Sequence, residues 1–160
     1  MDIFDRIVPG AGAALTLTLS FERRSRSRQR VELDDGSAAL LALPRGTVLR
    51  DGDVLGCADG PRVRVQAAAE TVSTAAHTDP AILLRAAYHL GNRHVPVQIG
   101  PGWLRYLHDH VLDAMCRGLG LDVAVAERPF APEDGAYARG GHLHGHGHSD
   151  ADPHPDHDHG

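Results

Sequence analysis

The residues best equipped for chemistry in this chain are its histidines. Twelve occur among 160 residues, more than a packed domain of this size ordinarily carries. Seven crowd the C-terminal stretch, namely His142, His144, His146, His148, His154, His157 and His159, set among Gly, Asp and Pro. An unperturbed imidazole has a pKa of about 6.5, so at neutral pH most of these rings are uncharged and free to ligate. Imidazole suits nickel, copper and zinc, and the interleaved Asp150, Asp152, Asp156 and Asp158 add oxygen donors. His-x-His spacing lets several rings converge on one ion. The bland alternatives are an expression tag or a solvated polar tail; the mixture with Asp and Pro is unlike a plain tag, and composition favours metal binding. Imidazole affinity alone ranks Cu(II) above Ni(II), with Zn(II) close, so metal choice must come from geometry in the folded part.

Five histidines precede the tail. The spacing of Leu107, Val111, Ala114, Met115 and Gly118 predicts a helix from about Leu104 to Leu119, with His108 and His110 on opposite flanks of its apolar face. Residues i and i+2 of one helix point apart, so one helix does not bring both rings to one ion. A twofold dimer offers another route, because a residue near the axis meets its own copy. The alternative is a surface helix with two solvated histidines. His89 falls on the apolar stripe of an earlier helix and reads as a core histidine. His94 follows Gly91-Asn92-Arg93 at a helix-to-strand turn and reads as a ligand or a turn residue, while His77 reads as structural.

Catalytic patterns are missing from the sequence. There is no HExxH, no GxSxG and no CxxC; Cys57 and Cys116 lie far apart, which favours a reducing compartment over a disulfide framework. All 16 basic residues are Arg, and without Lys there is neither a Walker-type phosphate loop nor Schiff-base chemistry. An enzyme is not expected. The cluster Arg23-Arg-Ser-Arg-Ser-Arg-Gln-Arg30, if extended, places Arg24, Arg26, Arg28 and Arg30 on one face. With a net charge of −5 and no interleaved aromatics, a solvated edge or an acidic protein partner fits that stripe better than nucleic acid.

The elements that must position these residues fall into three textures. Residues 1–73 predict a small all-β domain, with strands at Leu15–Phe21, Arg30–Leu33, Ala39–Leu43 and Val63–Ala67 separated by Asp-Gly and Pro-Arg-Gly turns. Residues 74–136 predict a ferredoxin-like βαββαβ domain, with a first strand over Glu70–Ala75. A helix opens at Thr78-Asp79-Pro80 and closes at Gly91-Asn92, a strand covers Val95–Ile99, then come the helix already described and a last strand over Leu121–Val125. Residues 137–160 have too few apolar side chains to offset an ordering cost of about 1–2 kcal/mol per residue and predict a disordered His-rich tail. The fold class expected is thus α+β. Neither a secretory leader nor an apolar run of roughly 18 residues is visible, so a cytoplasmic protein without membrane association is expected.

The run His-Leu-Gly-Asn-Arg-His over residues 89–94, the Asp-His-Val-Leu over residues 109–112 and several further segments together resemble the UreE family of urease accessory nickel metallochaperones. They are Ala87-Tyr-His-Leu-Gly-Asn-Arg-His-Val-Pro96, Leu107-His-Asp-His-Val-Leu112, Arg128-Pro-Phe-Ala-Pro-Glu-Asp-Gly-Ala-Tyr137 and the His-rich C-terminus. In the front half they are Arg26-Ser-Arg-Gln-Arg30, Asp34-Asp-Gly36, Leu43-Pro-Arg-Gly46 and Gly52-Asp-Val-Leu55. The resemblance implies an N-terminal domain that holds peptides or partner proteins and a C-terminal domain that pairs into a homodimer. It implies that His110, the histidine of the Asp-His-Val-Leu segment, binds Ni(II) together with its symmetry mate, and that the tail supplies further ligands. It implies delivery of nickel to the urease apoprotein with other accessory proteins, including a GTPase. A metal storage or buffering protein is the alternative.

Overall fold

The computed structural model describes residues 1–135; the expected tail and its seven histidines lie outside the described residues. The N-terminal part contains strands β1 (Asp2–Phe4), β2 (Arg6–Ile7) and β3 (Leu15–Leu19), a one-turn helix α1 (Phe21–Arg24), then β4 (Arg28–Glu32), β5 (Ala38–Ala42), β6 (Val54–Gly56) and β7 (Val63–Ala67). They form two sheets, β1-β5-β4 and β2-β6-β7-β3. Period-two alternation turns one row of each inward: Leu17 and Leu19 are buried on β3 while Thr18 is exposed. Phe4, Val31 and Leu41 of the first sheet share one core with Leu17, Leu55 and Val65 of the second. The β-rich domain expected from the alternation is therefore present, with α1 as its one helical turn.

The second part contains β8 (Ala69–Ala76), α2 (Pro80–Asn92), β9 (Gln98–Gly100), β10 (Trp103–Leu107), α3 (His110–Gly118) and β11 (Asp122–Pro129). Its sheet runs β11-β8-β10-β9 with every neighbour antiparallel, which is the ferredoxin-like βαββαβ arrangement. β8 passes through residue 73 as one strand and pairs along its full length with β11. Ala86 and Leu90 of α2 and Leu112 and Cys116 of α3 pack with Ala75, Leu104 and Tyr106 of the sheet. α2 opens as its sequence dictates, with Asp79 accepting from the Ala81 N–H at 2.9 Å and Pro80 in the first turn.

Three expected elements differ. The helix predicted over Leu104–Leu119 is a strand followed by a shorter helix. Trp103-Leu-Arg-Tyr-Leu107 alternates, buries Leu104 and Tyr106, and pairs residue by residue with β8, so Leu107 ends a strand instead of sitting on a helical face. The predicted strand Leu15–Phe21 stops at Leu19, because Ser20 caps α1 by accepting from the Arg23 N–H at 3.3 Å. The Arg stripe breaks there: Arg24 is buried, and only Arg28 and Arg30 share a face of β4. The strand predicted at Val95–Ile99 begins later, at Gln98.

Residues 130–134 fasten the two parts together. The Arg24 guanidinium donates to the Leu49 carbonyl at 3.2 Å and to the Phe130 carbonyl, while the rings of Phe21 and Phe130 meet edge to face at 5.6 Å. Arg50 pairs with Asp134, and the Glu133 N–H donates to the Val97 carbonyl at 2.8 Å.

Candidate metal centre

The connection from β10 to α3 carries His108 and His110. The chain leaves β10 at Leu107, and the His108 N–H donates to the Thr71 carbonyl at 3.0 Å, extending the contact with β8. Asp109 then takes an extended conformation and caps α3, accepting from the N–H groups of Val111 at 2.8 Å and Leu112 at 3.1 Å. Those two donors, Leu112 foremost, hold the Asp109 carboxyl below its ordinary range. His110 is the first helical residue and is exposed. Leu107, three residues before it at the end of β10, and Val111, next to it on α3, are 38% and 48% exposed.

His108 is not helical, contrary to the sequence expectation, and it is not simply solvated. Its Nδ1 lies 3.2 Å from Asp113 Oδ2 and 3.0 Å from Ser73 Oγ, while the ring remains 40% exposed. Asp113 is buried, and its Oδ1 accepts from the Tyr106 hydroxyl at 2.9 Å. Burial pushes Tyr106 far above the ordinary phenol range and raises the neighbouring Cys116 thiol, so the hydroxyl stays a donor and the thiol stays protonated. With its proton on Nδ1, the His108 ring turns that N–H toward Ser73 Oγ and the Asp113 carboxylate and leaves the Nε2 lone pair for a ligand role, the tautomer that carboxylate-oriented metal ligands use. The sequence reading missed Asp113, Tyr106 and Ser73. Asp113 lies five residues from His108, and only the strand-to-helix corner joins them.

The other folded histidines are scattered. His77 accepts from the Asp79 N–H on Nδ1 at 2.8 Å, which helps shape the start of α2 and matches its structural reading. His89 was expected in the core; it is exposed, its ring 5.3 Å from that of Tyr88, because Ala86 and Leu90 are the α2 residues turned to the sheet. His94 is exposed just past the end of α2, with φ of 56°, the one non-glycine residue in the left-handed region among those described. Such a conformation costs about 1–3 kcal/mol and concentrates at functional sites. Among the described residues no three His, Cys, Asp or Glu side chains converge on one point of a single chain.

The fold and the placement of these histidines define a class: a β-sandwich unit joined to a ferredoxin-like unit that carries exposed imidazoles. The sequence models of that class match on both sides of the junction. The UreE urease accessory protein N-terminal domain matches residues 5–68, and the UreE C-terminal domain matches residues 70–159. The urease accessory protein UreE of Alkalilimnicola ehrlichii is 60% identical over 108 residues, covering 68% of this chain and 66% of that protein. Its counterpart in Pseudomonas putida is 59% identical over 116 residues, covering 72% and 70%, and that of Proteus mirabilis is 56% identical over 108 residues, covering 68% and 67%. The matched stretches thus span about two thirds of each relative. The chain belongs to the UreE urease accessory protein family.

Proposed function

We propose that this chain carries Ni(II) to the urease apoprotein during urease maturation and is not itself an enzyme. The observation that carries this reading is family membership combined with an excess of exposed or tail imidazoles. Tail histidines 142, 144, 146, 148, 154, 157 and 159 capture the ion loosely, with Cu(II) and Zn(II) as competitors on the same donors. His110 holds one ion at the twofold axis of a homodimer, each copy giving one imidazole. Its place at the exposed first turn of a capped helix, with Leu107 and Val111 also exposed, suits such an isologous contact. The N-terminal unit, built from β1 to β7, meets partner proteins, among them other urease accessory proteins including a GTPase. Residues 74–136 form the dimer and its ion site, and residues 137–160 form the reservoir. The setting is the cytoplasm; no described helix is long and apolar enough to cross a membrane.

A second reading places the folded-domain ligand at His94. The specific observation is its left-handed backbone on an exposed non-glycine residue. Native mass spectrometry with graded nickel decides both points, comparing the intact chain with one ending at Arg139. One ion retained per shortened dimer puts the selective site in the folded domain. Its loss in His110→Ala but not His94→Ala supports the axial model; the reverse moves the site to His94. Loss of all nickel with the tail leaves a storage buffer and refutes the carrier reading. Proton competition should weaken every such site as pH falls through the imidazole range, about 6.5.

A further inference from the structure

The arginine cluster has a use that the nickel reading leaves untouched. With Arg24 withdrawn into the junction, Arg26 and Arg28 join Arg45 around a groove of about 500 Å³, completed by Ser25, Ser27 and Leu43. The groove borders β4, an edge strand of its sheet. All three arginines are exposed. Arg26 pairs with Glu22 on α1, whereas neither Arg28 nor Arg45 has a carboxylate within salt-bridge distance among the described residues. Two guanidinium forks therefore face solvent beside the Ser27 hydroxyl, a donor set matched to carboxylates, while the Ser25 hydroxyl donates to the Phe21 carbonyl at 2.9 Å.

We propose that this groove holds the aspartate-rich end of the chain's own tail, residues 150–158, in the metal-free protein. Charge is the first argument: Asp150, Asp152, Asp156 and Asp158 form the acidic end of a tail whose only other formal charge is Arg139. Their spacing of two presents each pair of carboxylates on one side of an extended strand. The exit point is the second argument. Asp134 is tied to Arg50, and residues 131–134 line one cleft with Phe21, Arg24 and Val48. Arg24 adjoins Ser25 and Val48 lies three residues from Arg45, so the chain leaves the fold one cleft away from the groove. Fourteen residues separate Gly135 from Asp150; such a stretch spans about 20 Å as a coil and at most about 50 Å extended.

Docking and metal capture then oppose each other. Each divalent ion bound among the tail histidines cancels the charge that the groove recognises, so metal releases the tail and the docked tail resists metal. This coupling rests on the proposed nickel reading; the docking itself does not.

The test uses the full-length, metal-free, 15N-labelled chain. Replacing the four aspartates (D150N/D152N/D156N/D158N) should shift the amide signals of residues 25–28 and 43–45 and leave those of α2 in place. The same signals should move in 0.5 M NaCl and on titration with diamagnetic Zn(II). R28Q/R45Q should abolish all three responses and tighten zinc binding by about 5-fold, since coupling is reciprocal. Groove signals indifferent to the aspartate substitutions overturn the proposal. Signals that ignore the tail but move with an added poly-aspartate peptide assign the groove to a separate acidic protein and overturn it equally. If zinc binds while the groove signals keep their docked positions, the coupling is wrong and docking stands. If zinc does not bind the tail at all, the metal reading fails and the aspartate substitutions still decide the docking.

Discussion

Replacing Arg24 probes the junction on which the geometry between the two units depends. The residue is 2% exposed, donates to the Leu49 and Phe130 carbonyls, and lies with its guanidinium carbon 5.6 Å from the Phe21 ring centroid. Burial pulls its pKa below the ordinary guanidinium value, partly opposed by Glu70 and Asp51, so the charge is held at a desolvation cost. Arg24→Met keeps most of the side-chain volume and removes that cost, but strands two buried carbonyls at about 1–3 kcal/mol each. Relief of the buried charge offsets part of this, so the net loss expected is about 2 kcal/mol. Arg24→Ala adds a cavity and should cost about 2 kcal/mol more. Urea denaturation followed separately by far-UV circular dichroism and by fluorescence of Trp103, which lies in the second unit, measures both. Arg24→Met should lower the midpoint and split the two probes, because the lost bonds join the units. A variant as stable as the native chain, with coincident transitions, would show that the guanidinium only fills space.

Asp113→Asn should turn the His108 ring chemistry around. An amide can still accept from Tyr106 but presents N–H to His108, so the imidazole proton should move from Nδ1 to Nε2, visible in long-range 1H–15N spectra; an unchanged tautomer refutes the carboxylate-oriented assignment. Asp109 titrates below its ordinary value of 3.8 in the folded chain, so its contribution to stability is present above 3.8 and is lost as pH falls through the lower folded value. Asp109→Asn keeps a capping side chain without that titration, and thermal melts between pH 5 and pH 2 should show a shallower acid limb; an unaltered limb places the acid sensitivity elsewhere. Reversing the Arg50–Asp134 pair as R50D/D134R should restore most of the stability lost by R50D alone, read by the same melts, although an exposed pair of this kind contributes no more than about 1 kcal/mol.

Much of this protein was legible from residue order. The tail histidines, the missing catalytic patterns and the Asp79-Pro80 helix start are local features, readable because capping and ligation depend on residue type and short spacing. Alternation along Leu15–Leu19 and Val63–Ala67 announced the first domain for the same reason, since a strand with one buried face must alternate. The helix misplaced over Leu104–Leu119 shows the limit. Leu104, Leu107 and Val111 satisfy a helical period by coincidence, and only pairing with β8 makes the first four residues a strand. Arg24 has a similar lesson: nothing in a run of arginines marks the one that turns inward, because its acceptors, Leu49 and Phe130, are remote in sequence. The partnership of His108 with Asp113, Tyr106 and Ser73 likewise exists only where β8, β10 and α3 meet. Residue order by itself determined which chemistry is available here, imidazole and carboxylate ligation, because side-chain type alone sets it. Tertiary structure decided which imidazoles are held, which are free and which arginines face the solvent, because those depend on contacts between segments distant along the chain.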